Sequence, residues 1–192
     1  MKPASWMKLK NDCLQSHSSF KTLMPREAEH TAYIGIGSNM ASPEENCNEA
    51  ADLLDDHPAI SVSSRSSLYQ TEPFGKSNQD WFVNSVVEVT THLSPELLFK
   101  ACLEIEKKMG RIRGEKWGPR IIDLDVLFYD DCVFRESNLE VPHPGIAERS
   151  FVLVPMNEIA PDLVHPKLKK SVETLLEEIP NPQQVNRIVL DD

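Results

Sequence analysis

Apolar and polar positions along the chain follow two different periods, which predict a mixture of β-strands and α-helices. Residues 31–37 form an apolar run that ends in glycines, as is typical of a buried strand. A Ser-Pro-Glu-Glu motif at 42–45 predicts a helix start, with the serine as N-cap and the last glutamate completing a capping box. That helix is expected to continue to about residue 57, and residues 59–69 then alternate as one strand.

The following segments repeat this order. Residues 82–91, rich in Val and Thr, predict a strand, and a second Ser-Pro-Glu motif at 94–96 begins a helix that Gly110 ends. Further elements are expected as a strand over 121–129, a short hairpin partner over 132–134, and short helices near 145–158 and 171–178. The core order is therefore β-α-β-β-α-β, which predicts an α+β fold with a ferredoxin-like core and appended short strands and helices.

The chain has 192 residues, enough for one well-buried domain with a tail. Residues 1–30 carry both basic and acidic side chains and show weak periodicity. We therefore predict a poorly ordered N-terminal extension over 1–30 and a single domain over 31–192. The acidic residues of the extension argue against a targeting peptide.

Composition excludes several classes of partner. The formal net charge of -10 makes nucleic acid and anionic membranes poor default partners, so an anionic ligand needs a local basic patch. The four cysteines show no zinc-type spacing and predict reduced thiols in a cytoplasmic protein. No apolar run approaches the ~20 residues of a membrane span, and nothing indicates an obligate protein partner.

Two aspartates separated by one residue lie within the predicted strand 121–129. Side chains alternate between the faces of a strand, so Asp123 and Asp125 share one face while Leu124 points to the other. Two carboxylates ~7 Å apart along one face suit hard divalent cations that bridge to phosphate oxygens. Taken alone, the pattern also fits a pair of carboxylates on a solvated sheet face.

A cluster of positive charge directly precedes these aspartates. Residues 107–120 contain six cations, Lys107, Lys108, Arg111, Arg113, Lys116 and Arg120, opposed only by Glu115. Beside two carboxylates, such a cluster indicates a phosphate clamp opposite a metal site. A solvated loop paired with acidic helix faces is the alternative.

Aromatic side chains and one amide surround the predicted strand ends: Phe74, Trp81, Phe82, Asn84 and Trp117. Proteins often bind flat heteroaromatic rings by stacking, with an amide at the ring edge, although each aromatic could instead pack in the core. The Gly-Ile-Gly-Ser-Asn turn at 35–39 lacks the Gly-Lys-Ser/Thr of a Walker A loop and fits either a ligand approach or a plain turn. His143, between two prolines, fits a ligand contact or a turn cap.

Together these motifs resemble the 6-hydroxymethyl-7,8-dihydropterin pyrophosphokinase family. The matching segments follow the family's order over roughly 31–160 and include Ala-Tyr-Ile-Gly-Ile-Gly-Ser-Asn at 32–39, Thr-Glu-Pro-Phe-Gly at 71–75, Phe-Val-Asn at 82–84, Trp-Gly-Pro-Arg at 117–120, Asp-Leu-Asp at 123–125 and Val-Pro-His-Pro at 141–144. The run Trp-Gly-Pro-Arg-x-x-Asp-Leu-Asp is highly specific. The resemblance implies that ATP donates its β,γ-pyrophosphoryl group to the pterin's hydroxymethyl oxygen in folate synthesis, leaving AMP.

The resemblance also implies residue roles. Asp123 and Asp125 would be catalytic and would hold two Mg²⁺ ions on the ATP phosphates, with Arg111 and Arg120 as catalytic groups on those phosphates. The ATP-binding residues would be Glu106, Arg113, His143 and Arg149. The pterin-binding residues would be Thr71, Pro73, Phe74, Phe82, Asn84, Trp117 and Phe151. Arg113 and Trp117 would lie on a loop that closes over both substrates.

The chain also departs from the family pattern. The loop from 111 to 117 is one residue shorter than in some members, so its closure could differ. Asn138 stands where some relatives carry an arginine near the nucleotide, and residues 1–30 lie outside the pattern.

Two other classes of protein share parts of this pattern. Nucleotidyltransferases also combine a Gly-Ser turn with Asp-x-Asp, but their two motifs are usually close in sequence. RNA-binding modules can share the β-α-β-β-α-β order, with aromatics on the sheet and a basic face. The net charge of -10 and the aspartates on the predicted sheet face argue against RNA.

Overall fold

An antiparallel sheet organises the described part of the chain. The structure is a computed structural model that describes residues 28–75, 78–112, 114, 118–136 and 138–189. Its main sheet contains β1 (His30–Ser38), β2 (Ile60–Arg65), β3 (Tyr69–Thr71), β4 (Phe82–Thr91), β5 (Asp123–Tyr129) and β8 (Val185–Arg187). The strand order is β5-β1-β4-β3-β8, and β2 also pairs with β4. A separate hairpin joins β6 (Phe134–Glu136) to β7 (Leu139–Val141).

Helices cover both faces of this sheet. The described α-helices are α1 (Pro43–Asp55), α2 (Pro95–Lys108), α3 (Ser150–Ile159) and α4 (Val172–Glu177), and a 3-10 turn (Ile146–Glu148) precedes α3. One apolar core lies between the sheet and the pair α1 and α2, and the other lies between the sheet and the pair α3 and α4. The described residues thus form a mixed α/β fold with an antiparallel sheet and four α-helices, which confirms the predicted mixture of strands and helices.

The helices dock because their apolar residues recur at helical spacing. Helix α1 buries Cys47, Ala50, Ala51 and Leu54, and α2 buries Leu98, Ala101, Cys102 and Ile105. These side chains pack against the apolar face of β1 and β5. Burying each large aliphatic side chain contributes about 2 kcal/mol to folding stability. The two helices thus hold one face of the sheet in place, and the polar residues lie on its other face.

The strand register brings distant residues into one row. Gly37 of β1 lies opposite Asn84 of β4 on one side and opposite Asp123 of β5 on the other. Gly35 lies opposite Asp125 in the same way. Neighbouring strands are ~4.8 Å apart, so this row spans three strands at the end of the sheet where β1 finishes and where β4 and β5 begin.

Several predicted elements differ in detail. Residues 59–69 do not form one strand, because the β2–β4 register shifts between Val62 and Ser64 and the hydroxyl of Ser66 accepts the Val86 amide at 2.9 Å. The capping box at 42–45 is also wrong, since the side chain of Ser42 makes no capping hydrogen bond. The serine at 94 does cap its helix, accepting the Leu97 amide at 3.4 Å.

Three further boundaries moved. The strand predicted over 121–129 begins at Asp123. The segment predicted over 132–134 as its short hairpin partner is the strand Phe134–Glu136, which pairs with β7 and not with β5. The helix predicted near 145–158 is a 3-10 turn followed by α3, and β8 was not predicted. Residues 1–27 lie outside the described residues, so the N-terminal extension stays a prediction.

No helix of the described residues has the length and apolar character that crossing a bilayer requires.

Candidate active site

A cavity of about 270 Å³ opens at the end of the sheet where the register aligns the polar residues. Its walls combine carboxylates, guanidinium groups, an amide and aromatic rings. The lining residues are Gly37, Thr71, Glu72, Phe74, Phe82, Asn84, Arg120, Asp123, Asp125, His143, Arg149 and Phe151. The charged groups from β5 and the aromatic groups from the β3 and β4 ends thus face one space.

The two aspartates of β5 form the acidic wall of this cavity. Their neighbour Leu124 is 2% exposed and packs in the core beneath α1 and α2, as the strand period requires. Burial and, next, the adjacent negative charge of Asp123 together raise the pKa of Asp125 to about 7, against the opposing effect of Arg149. Ionising Asp125 therefore costs more free energy than ionising an aspartate in water.

Two arginines converge on Asp123. The guanidinium of Arg111 lies 2.5 Å from Asp123 Oδ1, and Arg120 forms an ion pair with Oδ2 of the same carboxylate. Arg120 follows a segment anchored to β1, because its backbone amide donates to Asn39 Oδ1 at 2.8 Å and its carbonyl accepts the Asn39 amide at 3.1 Å. Both arginines are three-quarters buried or more, which strengthens their interaction with anions.

Glu106 lies beneath Arg111. It is 5% exposed, accepts the backbone amide of Leu124 at 2.8 Å and pairs with Arg111. Burial raises the pKa of Glu106, partly offset by these partners. Burial disfavours the charge on Arg111, but Asp123 and Glu106 outweigh that effect and raise its pKa. Glu106 thus supports Arg111 from below and joins α2 to β5.

The other half of the cavity is aromatic. The rings of Phe74 and Phe151 lie 6.0 Å apart between centroids and are tilted by 52°. Asn84 donates from Nδ2 to Thr71 Oγ1 at 2.6 Å, with both side chains buried. Phe82 lies beneath the Arg120 guanidinium at 5.6 Å. Two rings and a fixed amide are suited to a flat polar heterocycle.

His143 and Arg149 link the two halves. Arg149 lies 6.0 Å from the Phe74 centroid and 5.8 Å from the Phe151 centroid, and its Nη1 lies 3.5 Å from His143 Nδ1. Burial and, next, the positive charge of Arg149 together lower the pKa of His143 to about 4. His143 is therefore neutral near pH 7, while Arg149 brings a cation over the aromatic pair.

A neighbouring cavity of about 300 Å³ extends from Asp125 away from the aromatic pair. Its lining mixes the apolar side chains of Phe99, Val126 and Leu139 with polar and charged residues, namely Arg135, Glu136, Asn138, Glu140 and His143. A third cavity, of about 410 Å³, is shared by Arg111, Glu106 and Arg120 and also includes Phe99 and Asn138. These two spaces adjoin the acidic wall, since Asp125 lines both of them as well as the first cavity.

The structure brings together most of the predicted site residues. Ten of them line the first cavity: Thr71, Phe74, Phe82, Asn84, Arg120, Asp123, Asp125, His143, Arg149 and Phe151. Arg111 and Glu106 line the adjoining one. Pro73 is not among the lining residues of either, although its neighbours Glu72 and Phe74 line the first. Arg113 and Trp117 lie outside the described residues.

Sequence reasoning missed three contributors. Glu72 and Gly37 line the cavity, and Asn39, 4% exposed, ties the end of β1 to Arg120 and to the carbonyl of Asp80 at 3.1 Å. The Thr-Glu-Pro-Phe-Gly and Gly-Ser-Asn motifs contained this signal. The pattern alone did not say which of their members face the site.

The cavity of this α/β fold is suited to a polyanionic ligand beside a flat aromatic one. A family model for 7,8-dihydro-6-hydroxymethylpterin-pyrophosphokinase (HPPK) matches residues 33–161. The chain belongs to this family.

Similar proteins carry the name of the same enzyme. A 2-amino-4-hydroxy-6-hydroxymethyldihydropteridine pyrophosphokinase of Methylorubrum extorquens is 46% identical over 133 residues, which cover 69% of this chain and 84% of the relative. The enzyme of that name from Bacillus subtilis is 42% identical over 128 residues, which cover 67% and 77%. The folic acid synthesis protein fol1 of Schizosaccharomyces pombe is 41% identical over 150 residues, 78% of this chain but 20% of that protein.

A solved structure shares the fold. HPPK-DHPS of Plasmodium falciparum, crystallised with pterin and p-hydroxybenzoate, superposes with a TM-score of 0.66 at 17% identity. The alignment covers 81% of this chain and 44% of that one, so this chain spans less than half of the Plasmodium protein. Family membership also decides against the nucleotidyltransferase and RNA-binding alternatives: the chain is a pyrophosphokinase, a transferase.

Proposed function

We propose that this chain transfers the β,γ-pyrophosphoryl group of ATP to the hydroxymethyl oxygen of 6-hydroxymethyl-7,8-dihydropterin, giving AMP and the pterin diphosphate in folate synthesis. One observation carries the assignment of the site. A single cavity joins two carboxylates and Arg120 on one side to an aromatic pair and a fixed amide on the other, and Arg111 reaches Asp123 from the adjoining cavity. Transfer between a polyphosphate and a heterocyclic alcohol needs these two halves side by side.

The donor set fits magnesium. Asp123 and Asp125 offer carboxylate oxygens on one face, and the raised pKa of Asp125 indicates a site short of positive charge. The described residues contain no cluster of three or more Asp, Glu, His or Cys that would hold an ion alone. We therefore propose that these two aspartates hold two Mg²⁺ ions jointly with the ATP phosphates. Bound magnesium would neutralise charge on the phosphate oxygens.

The arginines supply positive charge of the chain's own. In the structure Arg111 and Arg120 direct their guanidinium groups at Asp123. We propose that they contact the phosphates when ATP is bound, stabilising charge that spreads over the transferring oxygens. Glu106 acts through Arg111, because its carboxylate is engaged by Leu124 and by Arg111 itself.

The nucleotide and the ring occupy opposite ends. We propose that the cavity beside Phe99 and Asp125, which has both apolar and polar walls, takes the adenosine end, with neutral His143 and cationic Arg149 next to the phosphates. The pterin packs against the aromatic group that Phe74 and Phe151 form, with the Asn84 amide at its edge. With the two substrates bound in this way, the hydroxymethyl oxygen would attack the β-phosphorus, and the bond between that phosphorus and the α-phosphate would break to release AMP.

Other predictions extend this proposal. Arg113 and Trp117 remain the proposed closing loop that excludes water from ATP. We describe the β1-α1-β2-β4-α2-β5 order as ferredoxin-like, which the antiparallel pairing of these strands supports. The domain boundary at residue 31, a cytoplasmic location and the lack of nucleic acid, membrane or obligate protein partners stay predictions.

Product analysis tests the reaction. The full chain is incubated with ATP, Mg²⁺ and the hydroxymethyl dihydropterin, and nucleotides and pterins are separated by chromatography. We expect AMP and pterin diphosphate in equal amounts. ADP with a pterin monophosphate would mean simple phosphoryl transfer, and free pyrophosphate with a nucleotidylated pterin would mean nucleotidyl transfer. Either outcome contradicts the proposal.

A further inference from the structure

A glycine of β1, Gly37, lies between the two halves of the cavity. Gly37 lines the cavity between Asn84 of β4 and Asp123 of β5. It therefore lies between the amide proposed to bind the ring and the carboxylate proposed to hold magnesium. Gly37 makes no side-chain contact itself, so its effect must come from the space that it leaves.

The end of the Asn84 side chain uses that space. A Cβ atom built on Gly37 would lie 2.7 Å from Asn84 Oδ1, and its next neighbour would be Cγ of the same residue at 3.8 Å. Real Cβ atoms essentially never come so close to another heavy atom, because repulsion rises steeply inside van der Waals contact. The conflict is thus with one amide oxygen and not with the backbone.

The backbone at Gly37 does not itself require glycine. Positive φ angles occur at Gly75, Gly110 and Gly145, whereas Gly37 continues the extended strand β1. An alanine could adopt the same backbone conformation. What a methyl group would disturb is the Asn84 side chain.

The Asn84 amide is held at its other end. Its Nδ2 donates to Thr71 Oγ1 at 2.6 Å, so the nitrogen is engaged and Oδ1 lies over Gly37. An amide oxygen accepts hydrogen bonds and donates none. In this orientation Asn84 offers an acceptor to a ring N–H group. Rotating the amide away from a methyl group would break the bond to Thr71 and misplace that acceptor.

We propose that Gly37 is a positioning residue for ring recognition, because its missing side chain lets Asn84 present its amide oxygen to an N–H group of the bound ring. The inference rests on the proposed function, in which that ring is the dihydropterin. It identifies the chemistry that the site selects: a heterocycle whose bound edge donates a hydrogen bond.

Gly37→Ala tests this directly. Affinity for the hydroxymethyl dihydropterin is measured by its fluorescence, with Mg²⁺ and a non-hydrolysable ATP analogue present, and affinity for the analogue is measured separately. We expect ring binding to weaken by about tenfold to about a hundredfold, the usual effect of losing a buried hydrogen bond or leaving its partner unsatisfied. The analogue should bind within about twofold of wild type. The unfolding temperature should fall by only about 2 to 4 °C, because the methyl group meets the end of one side chain and breaks a single buried hydrogen bond.

Gly35→Ala is the matched control. Gly35 lies two residues away on the same face of β1, and a Cβ atom there would meet the Leu127 side chain at 3.4 Å, an ordinary contact. We expect ring affinity to stay within about twofold of wild type, since no site residue has to move. Wild-type ring affinity in Gly37→Ala would overturn the proposal.

A second change isolates the mechanism. Asn84→Ala removes the oxygen with which the new methyl group would clash. The double variant with Gly37→Ala and Asn84→Ala should therefore bind the ring within about twofold of Asn84→Ala alone. If Gly37→Ala weakens ring binding as much in the Asn84→Ala background as in the wild-type background, Gly37 does not act through that amide and the proposal fails. A wild-type protein that binds nucleotide but no ring would contradict the proposed function instead, before any variant is compared.

Discussion

Replacing Asp125 by asparagine should stabilise the chain and change how its stability depends on pH. Burial and the neighbouring Asp123 raise the pKa of Asp125 from its ordinary value of 3.8 to about 7. Between these pH values the folded state binds a proton that the unfolded state has lost. The contribution of Asp125 to the unfolding free energy of the wild type therefore falls as pH rises from about 4 to about 7, and it is constant at higher pH. Asparagine cannot ionise and removes this decline.

The magnitude follows from the same interval. One pH unit corresponds to about 1.4 kcal/mol per proton, so the interval from 3.8 to about 7 sets a ceiling of about 4 kcal/mol. Hydration of the cavity and movement of Arg149 toward the ionised pair reduce this ceiling. We expect Asp125→Asn to gain about 2 kcal/mol of unfolding free energy relative to wild type at pH 8, and much less at pH 5.

Urea unfolding without magnesium, followed at pH 5 and pH 8, measures this difference. Asp52→Asn is the control for losing one negative charge, because Asp52 lies on an exposed face of α1 and pairs with Arg65 at 2.7 Å. Asp52→Asn should change the unfolding free energy only slightly at both pH values. If the gap between Asp125→Asn and wild type is the same at pH 5 and pH 8, Asp125 does not carry a raised pKa and the reasoning is refuted.

Three further predictions concern activity. Asp123→Ala should lower turnover by about a thousandfold or more while the far-UV circular dichroism stays native, because it removes a proposed metal ligand; a near wild-type rate would exclude the two-metal site. Arg120→Ala should lower kcat far more than it weakens binding of an ATP analogue, since its charge is proposed to matter most during transfer; a loss confined to nucleotide affinity would make it an anchor only. His143→Asn should leave the shape of the plot of kcat against pH unchanged between pH 6 and pH 9. The pKa of His143 is lowered to about 4, so its ring is already neutral throughout this range. If the variant loses an ionisation that the wild type shows in this range, His143 titrates there and the prediction is wrong.

Local rules predicted the acidic wall because a strand has a fixed period. Asp123 and Asp125 had to share a face, and Leu124 had to turn into the core, whatever the rest of the fold did. The basic cluster was visible for a similar reason, since a local excess of cations stands out in an acidic chain. These features depend on neighbours in sequence and needed no tertiary information.

Features that depend on tertiary pairing could not be predicted in this way. Glu106 reaches the Leu124 amide only because α2 packs along β5. The close approach of Gly37 and Asn84 depends on the β1–β4 register, which joins residues 47 positions apart. Strand β8, three residues long, has too little pattern to be recognised and is defined by its pairing with β3.

Transfer of the label from [β-³²P]ATP tests the central claim most directly. The full chain is incubated with Mg²⁺, the hydroxymethyl dihydropterin and either [β-³²P]ATP or [α-³²P]ATP, and the pterin product is isolated and counted. The account predicts that the β label is recovered in the pterin and the α label in AMP, because the Asp123–Asp125 site directs attack at the β-phosphorus. Recovery of the α label in the pterin, or retention of the β label in ADP, would contradict it.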